Sequence, residues 1–210
     1  MTLTDIPPLL RDEPGITRAL GEPDARLAVV EVARPVSIAA LAHLSSKQPL
    51  VVACPTGSMA GQLYDDLLQF VGVDDVALFP AWETLPFERV SPAVETMGQR
   101  LEVLWRLRNG DRCPKVVVAG VRALLQRLGP EAVDVEPIVV RPGTVIDPDV
   151  LAAQLVEFGY RREELVEHRG EFARRGSIVD VYPSTADAPI RIDLWGDEVD
   201  RLTTFGVNDQ

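Results

Sequence analysis

Apolar residues follow two kinds of pattern along this chain, and the change falls near residue 130. Before it, short aliphatic runs alternate with segments whose apolar positions recur every three or four residues. Leu27–Val32, Leu50–Ala53, Val76–Phe79 and Val116–Ala119 are short, β-branched and bounded by proline, glycine or charge, which predicts buried strands. Met59, Leu63, Leu67 and Phe70 predict an amphipathic helix, and Val94, Met97, Leu101, Leu104 and Trp105 predict another. Ser91-Pro92 offers that second helix an N-cap and a first-turn proline. A short helix is expected from Val121 to Leu128, ended by Gly129. Strand–helix alternation of this kind predicts a parallel sheet with helices on its faces.

Beyond the change, Pro137–Arg141 reads as extended, and Asp147-Pro148 caps a helix carrying Val150, Leu151, Leu155 and Phe158 that Gly159 ends. Strands then dominate. Ile190, Ile192 and Leu194 alternate with Arg191, Asp193 and Trp195, giving one dry and one wet face. Gly196-Asp197 turns the chain into Glu198–Phe205, while Glu171–Arg174 and Ser177–Tyr182 complete a small antiparallel sheet. The expected architecture is therefore an α/β domain over residues 1–130 and a smaller α+β domain over 131–210. No internal repeat or low-complexity linker is present. The first twenty or so residues, with Pro7, Pro8 and Pro14, read as loosely ordered.

A length of 210 residues suits one large domain or two small ones. The formal net charge of -11 argues against free nucleic acid as the main ligand, because phosphate binding needs clustered lysine and arginine. Lys47 and Lys115 are the only lysines. No apolar run approaches the roughly 20 residues that span a bilayer, and the N-terminus lacks a secretory pattern. With no secretory pattern, Cys54 and Cys113 read as buried free thiols.

Candidate chemistry is sparse. CPTGSMAGQL, Cys54 to Leu63, follows a strand and carries two glycines, but a phosphate loop also needs a Gly-Lys pair, and the chain has none. Thr56 or Ser58 reads better as a helix N-cap. His43 and His168 have no partner at metal-ligand spacing. The adjacent pairs Asp65-Asp66, Asp74-Asp75 and Glu163-Glu164 do not converge on one point. In FPAWETLPFERVSP the aromatics Phe79, Trp82 and Phe87 could stack on bases, but Glu83 and Glu88 against the single Arg89 favour a packed loop. In YRREELVEHRGEFARRGSIVDVYP, Arg161, Arg162, Arg169, Arg174 and Arg175 gather around Tyr160 and Phe172. That composition fits a protein docking face, although, taken alone, a solvated sheet face is the commoner reading.

LVVACPTGSMAGQLYDDLLQF resembles the segment of UvrB, the bacterial excision-repair protein family, that follows its phosphate loop. GYRREELVEHRGEFARRGSIVDVYPSTADAPIRIDLWGDEVDRL resembles the second UvrB domain, and LFPAWETLPFERVSPAVETMGQRL looks like the UvrB-like N-terminal module of the transcription-repair coupling factors (Mfd). The match runs from about Arg26 to Gln210. The resemblance implies a degenerate RecA/helicase-like parallel-sheet domain followed by a UvrA-binding domain, both part of a longer motor protein. It places the ancestral phosphate loop at Arg34, Pro35, Val36 and Ser37, where glycine, lysine and threonine are missing. ATP and Mg²⁺ are then expected only in the motor part, with no catalytic residue, cofactor or metal here. UvrB also has a long aromatic hairpin for probing DNA, whereas only the short Pro80–Val90 loop stands here, so little or no DNA binding is expected. The implied partner is UvrA, recruited to a stalled RNA polymerase that other domains engage, in the cytoplasm and away from membranes. The C-terminal part of the same longer protein is a second implied partner, covering this surface. Arg162, Arg175 and Phe172 stand at family contact positions, Arg161 and Arg174 flank them, and Ala173 replaces a family arginine. Two other readings stay open: a UvrB-type ATPase that verifies DNA damage, and an autoinhibitory packing domain.

Overall fold

The computed structural model describes residues 2–84, 92–129 and 134–208. Contacts group the chain into two compact units, one of Met1–Leu85 with Arg100–Val135 and one of Pro86–Gln99 with Glu136–Gln210. It is an α/β fold with one parallel and one mixed sheet.

The first unit is built on three parallel strands, β1 (Leu50–Cys54), β2 (Val76–Phe79) and β3 (Val116–Gly120), in the order β1-β3-β2. All of β3 is buried, as its unbroken Val-Val-Val-Ala-Gly run requires of a central strand. Helices α2 (Arg34–Leu44) and α3 (Gly57–Val71) cover one face. Ala39 and Ala42 of α2, with Ala60 and Leu67 of α3, pack on Val76, Val116 and Val118. On the opposite face Val103, from α4 (Val94–Arg108), meets Ala77 and Val117. Thr56 is the cap of α3: its hydroxyl accepts from the Met59 amide at 3.2 Å. The CPTGS stretch is thus a strand-to-helix corner. Gly120 fits there because a Cβ would lie 3.0 Å from the Gly57 nitrogen.

Three expectations fail in this unit. Leu27–Val32 forms no strand. Residues Glu31–Ala33 already turn as a 3-10 helix into α2, and Val30 and Val32 are exposed. The first twenty residues are not structureless: Pro14–Gly21 forms helix α1, capped by the Glu13 carboxylate and anchored by buried Ile16. Helix α5 (Val121–Leu125) stops short of Gly129, because Gln126 turns extended and its side chain accepts from the Trp82 amide at 2.7 Å. The expected Ser91 cap lies outside the described residues.

Arg100 is the unusual core residue of this unit. It is fully buried, and its guanidinium carbon lies 4.2 Å from the Phe79 ring centre and 4.5 Å from that of Trp82. It donates to the carbonyls of Pro80 at 2.6 Å and Gln126 at 3.0 Å. The two rings are therefore occupied from within, which leaves those faces unavailable to a nucleic-acid base.

The second unit is a five-stranded sheet in the order β4-β5-β6-β7-β8, namely Arg161–Arg162, Glu171–Arg175, Ile178–Val181, Ile190–Trp195 and Glu198–Thr204. All pairings are antiparallel except β4 with β5. The sheet is accordingly mixed rather than purely antiparallel. Helix α6 (Pro148–Glu157) is capped by Asp147, whose Oδ1 accepts the Asp149 amide at 2.7 Å. Gly159, at φ +83°, follows its end in the left-handed region. Leu151 and Leu155 of α6 pack on Phe172, Val179, Ile192, Leu194 and Val199, while Trp195 is exposed, as the alternation in β7 predicts. The first turns of α4 also belong here. A Cβ on Gly98 would stand 2.6 Å from the Ser184 Cβ, and Val94 fills the space beside Gly170. Glu95 pairs with Arg169 at 2.8 Å.

Candidate functional site

The arginine cluster lies at the β4–β5 edge of the second unit. There a groove of about 550 Å³ is lined by Arg162, Glu163, Glu164, Leu165, Arg174 and Arg175. Residues directly opposite in a ladder share a face. Arg161 lies opposite Glu171, and Arg175 opposite Ile178, on the face away from α6. Arg162 lies opposite Phe172 and Arg174 opposite Val179, on the α6 side. The arginines therefore do not share one face of the sheet; Arg162, Arg174 and Arg175 meet only at its edge, around the groove.

Their bonding states differ. Arg162 is exposed and makes no hydrogen bond or ion pair among the described residues. Arg174 is paired with Asp149 of α6 and only a quarter of its side chain is exposed. Arg161 Nη2 donates to Glu171 Oε1 at 2.9 Å, and Arg175 Nη2 to Asp180 Oδ2 at 2.7 Å. Both side chains stay accessible, at 67% and 44% exposed. Phe172 is the correction in this set. It is fully buried among Leu151, Leu155 and Val181, so it shapes the sheet from beneath and offers no surface contact.

Two buried carboxylates organise the cluster, and neither was singled out in the sequence. Asp180 is 1% exposed and also accepts both Nε and Nη2 of Arg191, at 2.7 and 2.8 Å. Burial pushes its carboxyl up, but hydrogen bonds from Arg191 and Arg175 and their positive charges outweigh this and hold it below the usual aspartate value. Glu171 likewise resists its burial. The backbone amides of His168 and Glu167, at 2.8 and 3.0 Å, and the charges of His168 and Arg161 bring it below the glutamate norm. The visible signal for Asp180 was a carboxylate set between two valines in mid-strand; its partners were not readable from spacing.

A group with a lowered folded pKa stabilises above its unfolded value and ceases to do so as pH falls through the folded one. Stability of the second unit is expected to decline on acidification below about pH 4. Asp180→Asn should flatten that decline. Urea midpoints followed across the acid range check this, and parallel curves for the two chains would contradict it.

At the Arg34-Pro35-Val36-Ser37 position, the first turn of α2 carries a buried proline that has no N–H, and the Ser37 hydroxyl donates to the Ala33 carbonyl at 2.8 Å. Arg34 and Ser37 line a shallow groove of about 380 Å³ with Leu27, Ala28, Val29, Ile38 and Leu41. Cys54 is buried, Cys113 only half-buried, and both are free. Among the described residues no three His, Cys, Asp or Glu side chains are placed to hold a metal ion, and no helix is long and apolar enough to cross a membrane.

The mixed sheet with arginines held at its edge falls within a stretch of sequence that is similar to known proteins. Residues 138–210 match the family described as the UvrB interaction domain. Over most of its length the chain is also similar to transcription-repair-coupling factors. That of Mycobacterium tuberculosis is 40% identical over 198 residues, 92% of this chain and 16% of the relative. That of Bacillus subtilis is 37% identical over 179 residues (85% and 15%), and that of Escherichia coli 34% over 164 (77% and 14%). The chain is thus similar to transcription-repair-coupling factors and, over residues 138–210, to the UvrB interaction domain, and it spans about one sixth of the length of those relatives. The resemblance expected from the sequence is borne out at this level.

Proposed function

We propose that this stretch is a non-catalytic recruitment module, which brings UvrA to stalled RNA polymerase in transcription-coupled nucleotide excision repair. The observation that carries the reading is the β4–β5 edge. Within the matched domain, an unpaired Arg162 and a partly free Arg175 border one groove, and Arg161, 67% exposed, adjoins Arg162 on the edge strand. Guanidinium groups recognise carboxylates through paired hydrogen bonds, so the partner surface should be acidic. The UvrB-like division into residues 1–130 and 131–210 and the RecA-like ancestry of the first block belong to the same proposal. So do RNA polymerase contacts by other domains, the cytoplasmic setting, and masking of the arginine edge by the C-terminal part of the longer protein.

The first block is proposed to have lost nucleotide chemistry. Pro35 removes a backbone donor where a phosphate would sit, and no lysine stands nearby in the segment. ATP-driven motion would then belong to the rest of the longer protein.

Binding of purified UvrA to the chain, read on a biosensor, tests the proposal. Arg162→Ala with Arg175→Ala is expected to weaken binding by about 2 kcal/mol or more with unchanged circular dichroism. Affinity should also fall as salt rises. Wild-type binding by the double variant would remove the arginine edge from the interface.

A further inference from the structure

The inference here rests on the docking role proposed above and adds a residue to it. We infer that Asp180 is the positioning residue that holds Arg175 ready for an acidic partner. Asp180 lies in β6 between Ala173 on one neighbouring strand and Arg191 on the other. Arg191 takes both carboxylate oxygens, through Nε to Oδ1 and Nη2 to Oδ2, and its guanidinium rests 5.0 Å from the Phe205 ring centre. That grip fixes the carboxylate from one side. On the other side Ala173 is only a methyl group, so Arg175 approaches diagonally and gives one N–H to Oδ2 at 2.7 Å. One buried carboxylate thus serves two guanidinium groups and leaves a net positive charge at the outer end of the row.

An arginine has five N–H donors, and Arg175 spends one on Asp180. Its side chain remains 44% exposed beside the groove. A free surface arginine must be ordered when a partner binds; this one is ordered beforehand. Arg162, with no such anchor among the described residues, must be ordered by the partner itself. The two arginines of the edge therefore have different tasks. Arg175 is a fixed donor that sets register, and Arg162 is an adaptable one.

Nitrogen-15 NMR of the arginine side chains, with assignments from Arg175→Lys, reads this without any partner. The Arg175 guanidinium protons should exchange at least about tenfold more slowly than those of Arg162, and Asp180→Asn should abolish the difference. Equal exchange in the wild-type chain overturns the inference, even if Asp180→Asn fails to fold. With UvrA on a biosensor, Asp180→Asn should weaken binding about tenfold in the wild-type background and leave it nearly unchanged in the Arg175→Ala background. Equal losses in both backgrounds would show a purely structural carboxylate and overturn it as well. A wild-type chain that ignores UvrA would refute the docking proposal instead, and the exchange measurement would still decide the role of Asp180.

Discussion

Arg100→Ala is expected to lower the stability of the first unit by about 4 kcal/mol, a large part of what a domain of this size possesses. The side chain is fully buried, and among the described residues no carboxylate neutralises it; its partners are the carbonyls of Pro80, Ala123 and Gln126. Burial lowers its pKa, and Nε has no partner among the described residues. The charge is tolerated because two aromatic faces and three carbonyl oxygens surround it. Truncation removes all of these contacts together. It leaves a cavity between Phe79 and Trp82 and strands acceptors that water cannot easily reach. Urea unfolding followed by far-ultraviolet circular dichroism measures the loss. An unchanged midpoint would mean that the ring stack and carbonyl bonds contribute nothing net.

Gly98→Ala should cost the second unit about 2 kcal/mol through overpacking. The added Cβ would stand 2.6 Å from that of Ser184, far inside van der Waals contact, and Ser184 is itself held by a 3.0 Å bond from its amide to the Tyr160 hydroxyl. Ser184→Gly in the same chain removes the opposing Cβ and should recover a large part of the loss. Thermal melts of the single and double variants form the required cycle. Equal melting temperatures for Gly98→Ala and wild type would contradict the close contact.

The regular elements were largely legible in the sequence. Strands β1, β2 and β3 appeared as short aliphatic runs, β7 as strict alternation, and α6 as a capped helix, because each is governed by neighbours a few residues away. What escaped was decided by distant partners. Leu27–Val32 has strand composition, yet the start of α2 takes its last residues into a helical turn. Arg100 sits in a polar helical stretch, and its burial depends on rings 21 and 18 positions earlier in the chain. Phe172 resembled a surface anchor because arginines surround it in sequence, while strand alternation turns it to the opposite side from Ala173. The arginines at the edge could be named from the sequence. Their division between anchored and free could not, because the anchoring carboxylate of Arg175 lies on another strand.

The helical turn bearing Val94, Glu95 and Gly98 has a practical meaning for anyone wishing to transplant the docking module. A clone opening at residue 131 would strip the Gly170 and Ser184 surfaces of their apolar cover and leave Arg169 without the Glu95 carboxylate. A faithful graft must therefore import two separate pieces of polypeptide, or splice the early turn onto the later one by permuting the chain.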